Sequence, residues 1–235
     1  MLIVGGAGRV GTILRARLHQ HQLTVFDLPD DDATDYRRLV ARCAGHDVIV
    51  HLAGDFSRES WRDGGVVGRN FELDLNVALA TVAAGVPKLV LASSVHADDF
   101  LSFAPGHGGE LMSADRAHPV PTSPYGAHKL YGEALGRHFS GTHPVEVVAI
   151  RLGGLPPDDR PLSFAREPAV FLSRADFGRC VSAVVEAPLV RGRFTVFYAV
   201  SDNPGRLHDT RNPFDWHPTP PNALANVDQD RVQDR

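Results

Sequence analysis

The chain is poor in cysteine: Cys43 and Cys180 are the only two in 235 residues. They lie far apart in segments of helical periodicity, so the sequence offers neither a disulfide framework nor a CxxC zinc motif, and both read as small buried hydrophobes. Metal-ligand spacing is missing too. Of twelve histidines, none falls in an HExxH arrangement, and His19 and His21 are two apart, a spacing that does not share a helix face; no metal is expected. No apolar run approaches the roughly 18 to 20 residues of a membrane span. The first run, Leu2–Val4, passes at once into glycines and leaves no room for the charged and apolar regions of a secretion signal. The expectation is a soluble cytoplasmic protein with no membrane partner. A basic stripe is also lacking. The 24 Lys and Arg are scattered through a chain of formal net charge -4, which argues against nucleic acid as a partner.

What is present suits a globular protein. With 43% hydrophobic and 22% charged residues, the chain can bury one core, and we read residues 1–221 as a single domain. Residues 222–235 carry no apolar pattern and read as a disordered tail. Short apolar runs at Leu2–Val4, Leu23–Phe26, Val48–His51, Leu89–Ala92, Val145–Ile150 and Phe194–Ala199 read as strands. Helical periodicity fills the segments between them, at Val10–Leu18, Asn70–Ala84, Tyr125–Phe139 and Phe177–Glu186. Such alternation predicts an α/β fold, a parallel sheet covered on both faces. The acidic stretch from Asp27 to Asp35 is too short for a loop and another strand, so an edge strand should be missing there. Segments 97–123 and 151–174 are expected to wall a substrate pocket. After Asp202 the sequence turns to Pro, Asn and Asp and reads as turns.

Gly5, Gly8 and Gly11 stand between the first strand and the first helix. In that context a GxxGxxG pattern is a dinucleotide cradle: one glycine permits the turn, one admits the pyrophosphate to backbone N–H groups, and one lets helix pack on strand. The helix N-terminus then favours the negative charge. Asp27, at the end of the second strand, is placed to accept from a ribose 2′-hydroxyl and to repel a 2′-phosphate, so NAD is favoured over NADP. Arg9, within the glycine loop, is a further candidate pyrophosphate contact. These features specify the α/β fold further, as a Rossmann-type doubly wound sheet with a small C-terminal substrate-binding portion.

Ser123 and Pro124 open a helix in which Tyr125 and Lys129 are four apart on one face. There an ammonium can stabilise a phenolate, whose parent hydroxyl has a reference pKa of about 10, and a tyrosine so tuned serves as general base or acid. Ser94 ends a strand, where ligands of doubly wound sheets bind, and could hydrogen-bond a reacting oxygen.

Together these residues resemble the extended branch of the short-chain dehydrogenase/reductase family. GGAGRVG at 5–11, HLAG at 51–54, Asn70 leading a helix, ASS at 92–94, YGAHK at 125–129 and RLGG at 151–154 occur in the family's order, across most of the chain. The resemblance implies a catalytic triad of Ser94, Tyr125 and Lys129, cofactor contacts from Val10, Asp32 on the adenine side, Leu52, Ala53, Gly54, Asn70, Ser93, Tyr125 and Leu152, a nicotinamide-ribose contact from Lys129, and Asn70 supporting the site from behind. HLAGD at 51–55, SSVH at 93–96, SPYGAHKLYGE at 123–133 and FLSRADFGRCV at 171–181 are most similar to compact uronate dehydrogenases and related hexose-phosphate dehydrogenases. That likeness implies a small polar substrate held by Ser94, Val95, His96, Gly153, Gly154 and Arg166. Arg160 and Arg174 compete with Arg166 for an anionic group. Val95 stands where those enzymes usually have an asparagine. The same resemblance allows a homodimer through the Asn70 and Tyr125 helices. The expected activity is oxidation of a hydroxyl by NAD. The alternatives are an epimerase or dehydratase that recycles its NAD, and a non-catalytic NAD sensor, against which the intact triad argues.

Overall fold

The computed structural model describes residues 1–55, 65–104, 109–161 and 167–221. Strands and helices alternate along it: β1 Leu2–Val4, α1 Arg9–Arg17, β2 Thr24–Phe26, α2 Tyr36–Cys43, β3 Val48–His51, α3 Gly65–Ala83, β4 Lys88–Ser94, α4 Pro124–Thr142, β5 Glu146–Leu152, α5 Arg174–Glu186 and β6 Phe194–Ala199. The six strands form one sheet in the order β2-β1-β3-β4-β5-β6, and every pairing is parallel. The expected strands are all present, and the fold is the Rossmann-like α/β arrangement. Order reverses between β1 and β3, so a crevice for a ligand lies beyond their carboxyl ends.

Alternating strand residues feed two cores. Ile3, Val50, Val90, Val148 and Ile150 pack with Leu14 of α1 and Phe177, Cys180 and Val184 of α5. Leu2, Val4, Ile49, Leu91, Val147 and Ala149 pack with Leu39 and Cys43 of α2, Val77 of α3 and Phe139 of α4. Each such side chain contributes about 1.5–3 kcal/mol by leaving water, and because both faces are covered the strands read as unbroken apolar runs. Both cysteines are buried and free.

The acidic stretch after β2 contains no strand, and β2 is the sheet edge. Asp35 caps α2 by accepting from Arg38 N at 3.1 Å, and Ser173 caps α5 by accepting from Asp176 N at 3.0 Å. Helix α3 begins before the apolar periodicity does, at Gly65 rather than Asn70.

A third cluster sits above the carboxyl edge, where Phe100 and Met112 meet Val95, Val170, Tyr198 and Val200. The C-terminal segment then crosses back over the first core. Phe214 and Trp216 pack on Phe197, with ring centroids 5.7 and 6.3 Å away. Buried Asp176 anchors that return, accepting from Ser201 Oγ at 2.6 Å and from Thr219 N at 3.2 Å. The expected tail at 222–235 lies outside the described residues. Among those residues no helix is long and apolar enough to cross a membrane, and no group of His, Cys, Asp and Glu is arranged to hold a metal ion.

Candidate active site

The turn after β1 is built by glycine. Gly5 has φ +84°, and a Cβ there would stand 2.4 Å from Ala53 N; one on Gly11 would stand 2.6 Å from Gly5 O. Helix α1 starts at Gly8 without a side-chain cap, so its first-turn N–H groups keep their capacity to bind an anion. At the end of β2, Asp27 accepts from Ala7 N at 2.7 Å and from Leu28 N at 2.8 Å. This ties the glycine loop to the second strand, and each carboxylate oxygen can still accept again.

Two cavities flank this loop and share Leu52. The first, of about 340 Å³, is lined by Gly5, Gly8, Asp27, Asp32, Ala53 and Gly54. Its acidity is partly matched: Asp31 accepts from Arg38 Nε at 2.5 Å, and Asp32 pairs with Arg69 at 3.0 Å. The backbone N–H of Thr34 holds the Asp32 carboxyl below its usual range against the effect of burial, with the Thr34 side chain and the Arg69 guanidinium adding to it. The sequence reading missed Asp31, Asp55 and Arg69 in this wall; Arg69 lies 37 positions from the aspartate it meets, so no local pattern links them.

The second cavity, of about 280 Å³, is lined by Arg9, Val10, Ser93, Ser94, Val95, His96, Tyr125, Lys129, Leu152, Gly153 and Gly154. Ser94 ends β4, and its Oγ accepts from His96 N at 3.2 Å, capping a 3-10 turn at Val95–Ala97. Tyr125 is in the first turn of α4, which Ser123 caps by accepting from Gly126 N at 3.2 Å. Lys129, one turn on, places Nζ 5.6 Å from the Tyr125 ring centre. Gly126 is required: a Cβ would stand 2.0 Å from His96 O, so α4 presses the tyrosine against the turn that carries Ser94 and His96. The His96 ring centre is 5.9 Å from that of Tyr125, and its Nδ1 meets Thr122 Oγ1 at 2.7 Å. Burial lowers the His96 pKa, favouring the neutral ring.

Two expected cofactor contacts have other polar partners. Asn70 accepts from Asp55 N at 2.8 Å and donates to Asp55 O at 2.9 Å, so its amide latches the loop after β3. The Ser93 hydroxyl donates to Glu133 at 2.5 Å, leaving the rest of Ser93 at the cavity wall. Segment 97–123 contributes His96's partner Thr122, but its described residues do not line the cavity, because Phe100 and Met112 are drawn into the third apolar cluster. From 151–174, Gly153, Gly154, Leu155 and Val170 do line it. Arg174 donates to Pro157 O, and Arg160 is exposed; neither lines the cavity, and Arg166 lies outside the described residues.

The glycine cradle, the uncapped helix start and the carboxylate at the end of β2 fit a dinucleotide. A model of the NAD dependent epimerase/dehydratase family matches residues 1–155. The chain belongs to that family. It is 28% identical over 229 residues to the NAD-dependent glucose-6-phosphate dehydrogenase of Haloferax volcanii, covering 86% of this chain and 85% of that enzyme. It is 31% identical over 173 residues to an L-arabinose 1-dehydrogenase (NAD(P)(+)) of the same organism, a match covering 65% of this chain and 66% of the relative. Among solved structures, uronate dehydrogenase from Agrobacterium tumefaciens superimposes with a TM-score of 0.78 at 26% identity, over 97% of this chain and 88% of that one. A tyrosine-to-alanine mutant of that enzyme, complexed with NAD, matches equally well. This family member is an NAD-dependent oxidoreductase.

Proposed function

We propose that this protein oxidises a hydroxyl of a small polar substrate, a sugar or sugar acid, with Tyr125 as general base. The observation that carries the reading is the gathering of Ser94, Tyr125 and Lys129 at one cavity beside the glycine loop. NAD, when bound, supplies the two-electron acceptor. Gly5, Gly8, Gly11 and the start of α1 would hold its pyrophosphate, with Arg9 and Val10 beside them. Asp27 would hold the adenine-side ribose, Asp32 the adenine, Leu52, Ala53 and Gly54 the middle of the cofactor, and Lys129 and Leu152 the nicotinamide end. Tyr125 takes the proton of the substrate hydroxyl. The Lys129 ammonium stabilises the resulting phenolate, and Ser94 Oγ steadies the reacting oxygen. His96, oriented by Thr122, offers the substrate a hydrogen bond rather than a charge. Gly153 and Gly154 leave space at the wall, and Val95 gives it an apolar contact.

A nucleotide-sugar would need room for a diphosphate and a base. The substrates named for the relatives, arabinose, glucose-6-phosphate and uronates, carry neither, which favours the dehydrogenase over an NAD-recycling epimerase or dehydratase. The test is NADH absorbance with uronic acids, free hexoses, hexose phosphates and polyols, with Tyr125→Phe as control. Turnover that survives the substitution would sink the mechanism. A preference for anionic substrates that disappears in Arg166→Ala would assign that arginine to the anion. A homodimer through the outer faces of α3 and α4, where Leu79 is exposed, belongs to the same proposal, and light scattering on the purified protein tests it.

A further inference from the structure

Lys129 faces two spaces. One is the cavity it shares with Ser94 and Tyr125. The other, behind it, has a volume of about 10 Å³ and is lined by His51, Asp74, Ser93 and Glu133 among others, the smallest space that takes one water. Glu133 is neutralised there by Arg151, which donates to both its oxygens at 2.8 and 2.9 Å. Asp74 is held differently. His51 Nε2 lies 2.8 Å from one of its oxygens and His128 Nε2 2.9 Å from the other. Gly132 lets α4 come this close, since a Cβ there would stand 2.9 Å from Asp74 Oδ2. Burial opposes ionisation of Asp74, but the close contact of His128, the hydrogen bond and charge of His51 and then the charge of Lys129 outweigh it and hold the carboxyl well below its ordinary range.

A lysine cut off from water and from counter-charge loses its proton several units below its ordinary value of about 10.4. Lys129 is only 8% exposed, and it can stabilise a phenolate only as an ammonium. The groups facing Lys129 and Asp74 are His51 from β3, Asp74 itself from α3, Ser93 from β4, and Tyr125, His128, Tyr131 and Glu133 from α4, with Arg151 of β5 behind Glu133. Among these described residues, Asp74 is the carboxylate without a guanidinium. We infer that Asp74 is the counter-charge that keeps Lys129 protonated through the working pH range, with His51 and His128 fixing the carboxylate behind it. Asp74 is a positioning residue, because it acts on the reaction only through Lys129. The inference rests on the roles given above to Tyr125 and Lys129.

The test is the pH dependence of kcat for wild type, Asp74→Asn and His128→Gln, with a urea midpoint for each. Asparagine keeps the shape, and a neutral imidazole can switch tautomer to accept from its amide. Loss of the ammonium ends activity at high pH, so in Asp74→Asn the alkaline limb should move down by about one pH unit or more, with KM for NAD little changed. His128→Gln keeps the carboxylate and an N–H toward it, and its limb should stay in place. An unmoved limb in folded Asp74→Asn, or equal shifts in both variants, overturns the inference. If Asp74→Asn does not fold, His51→Gln and His128→Gln decide: limbs in place support the carboxylate, and a shift in either assigns the titration to an imidazole and overturns it. Full activity in Tyr125→Phe would instead remove the underlying reading of the site, a different outcome.

Discussion

Two lysines are buried at opposite ends of the same sheet, and their surroundings differ. Lys88, 3% exposed, opens β4 at the amino edge. Its Nζ donates to Val184 O and Ala187 O at 2.9 Å each, at the C-terminus of α5, and lies 3.4 Å from Glu146. Two donors are taken by backbone carbonyls, and the charge joins a helix end to the sheet. Lys129 sits beside the other end of β4, with a cavity on either side. A buried charge bound to backbone carbonyls at a helix end is architecture; one that lines a cavity can reach a ligand.

The contrast can be broken by substitution. Tyr125→Phe, at the carboxyl edge, should lower kcat about 1,000-fold, within the range of general-base loss, and shift unfolding free energy by less than about 0.5 kcal/mol. Lys88→Met should do the reverse. Glu146 keeps Arg193, but the carbonyls of Val184 and Ala187 lose a charged donor, which should cost about 2 kcal/mol in urea unfolding, with kcat per folded molecule unchanged; a kcat loss there would erase the distinction. Asp27→Ala should raise KM for NAD about tenfold, roughly the effect of a lost charge-assisted hydrogen bond, and reduce discrimination against NADP. The smallest effect concerns a buried base kept neutral. Burial, with the charges of Arg151 and Arg206, lowers the His208 pKa to about 3. The unfolded chain takes up that proton near 6.5, so it binds more protons than the native state between those values. Stability therefore falls as pH falls through that window, by about 0.7 kcal/mol from pH 7 to 6 and more steeply below. His208→Phe, measured by urea unfolding at both pH values, should remove this contribution.

The sheet was legible because its strands are covered on both faces and read as continuous apolar runs, and the missing edge strand because nine residues from Asp27 to Asp35 cannot hold one. The YxxxK spacing and the glycine loop were legible because each is local to one helix or turn. The cluster behind Lys129 was not. His51, Asp74 and His128 belong to β3, α3 and α4, and only the packing of those elements brings them together. For the same reason the sequence assigned Asn70 and Ser93 to the cofactor without revealing that Asp55 and Glu133 take their polar groups. Arg166, the expected contact of an anionic group, lies outside the described residues.

The returning segment that carries Phe214 and Trp216 has a consequence for biosynthesis. A ribosome releases the glycine loop, α1 and the first five strands long before it reaches Thr219, the residue bonded to Asp176. Until then Phe197 and its neighbours lack the two aromatic rings that close their side of the core, so a nascent chain can complete its nucleotide-side half early yet must wait for this late aromatic seal.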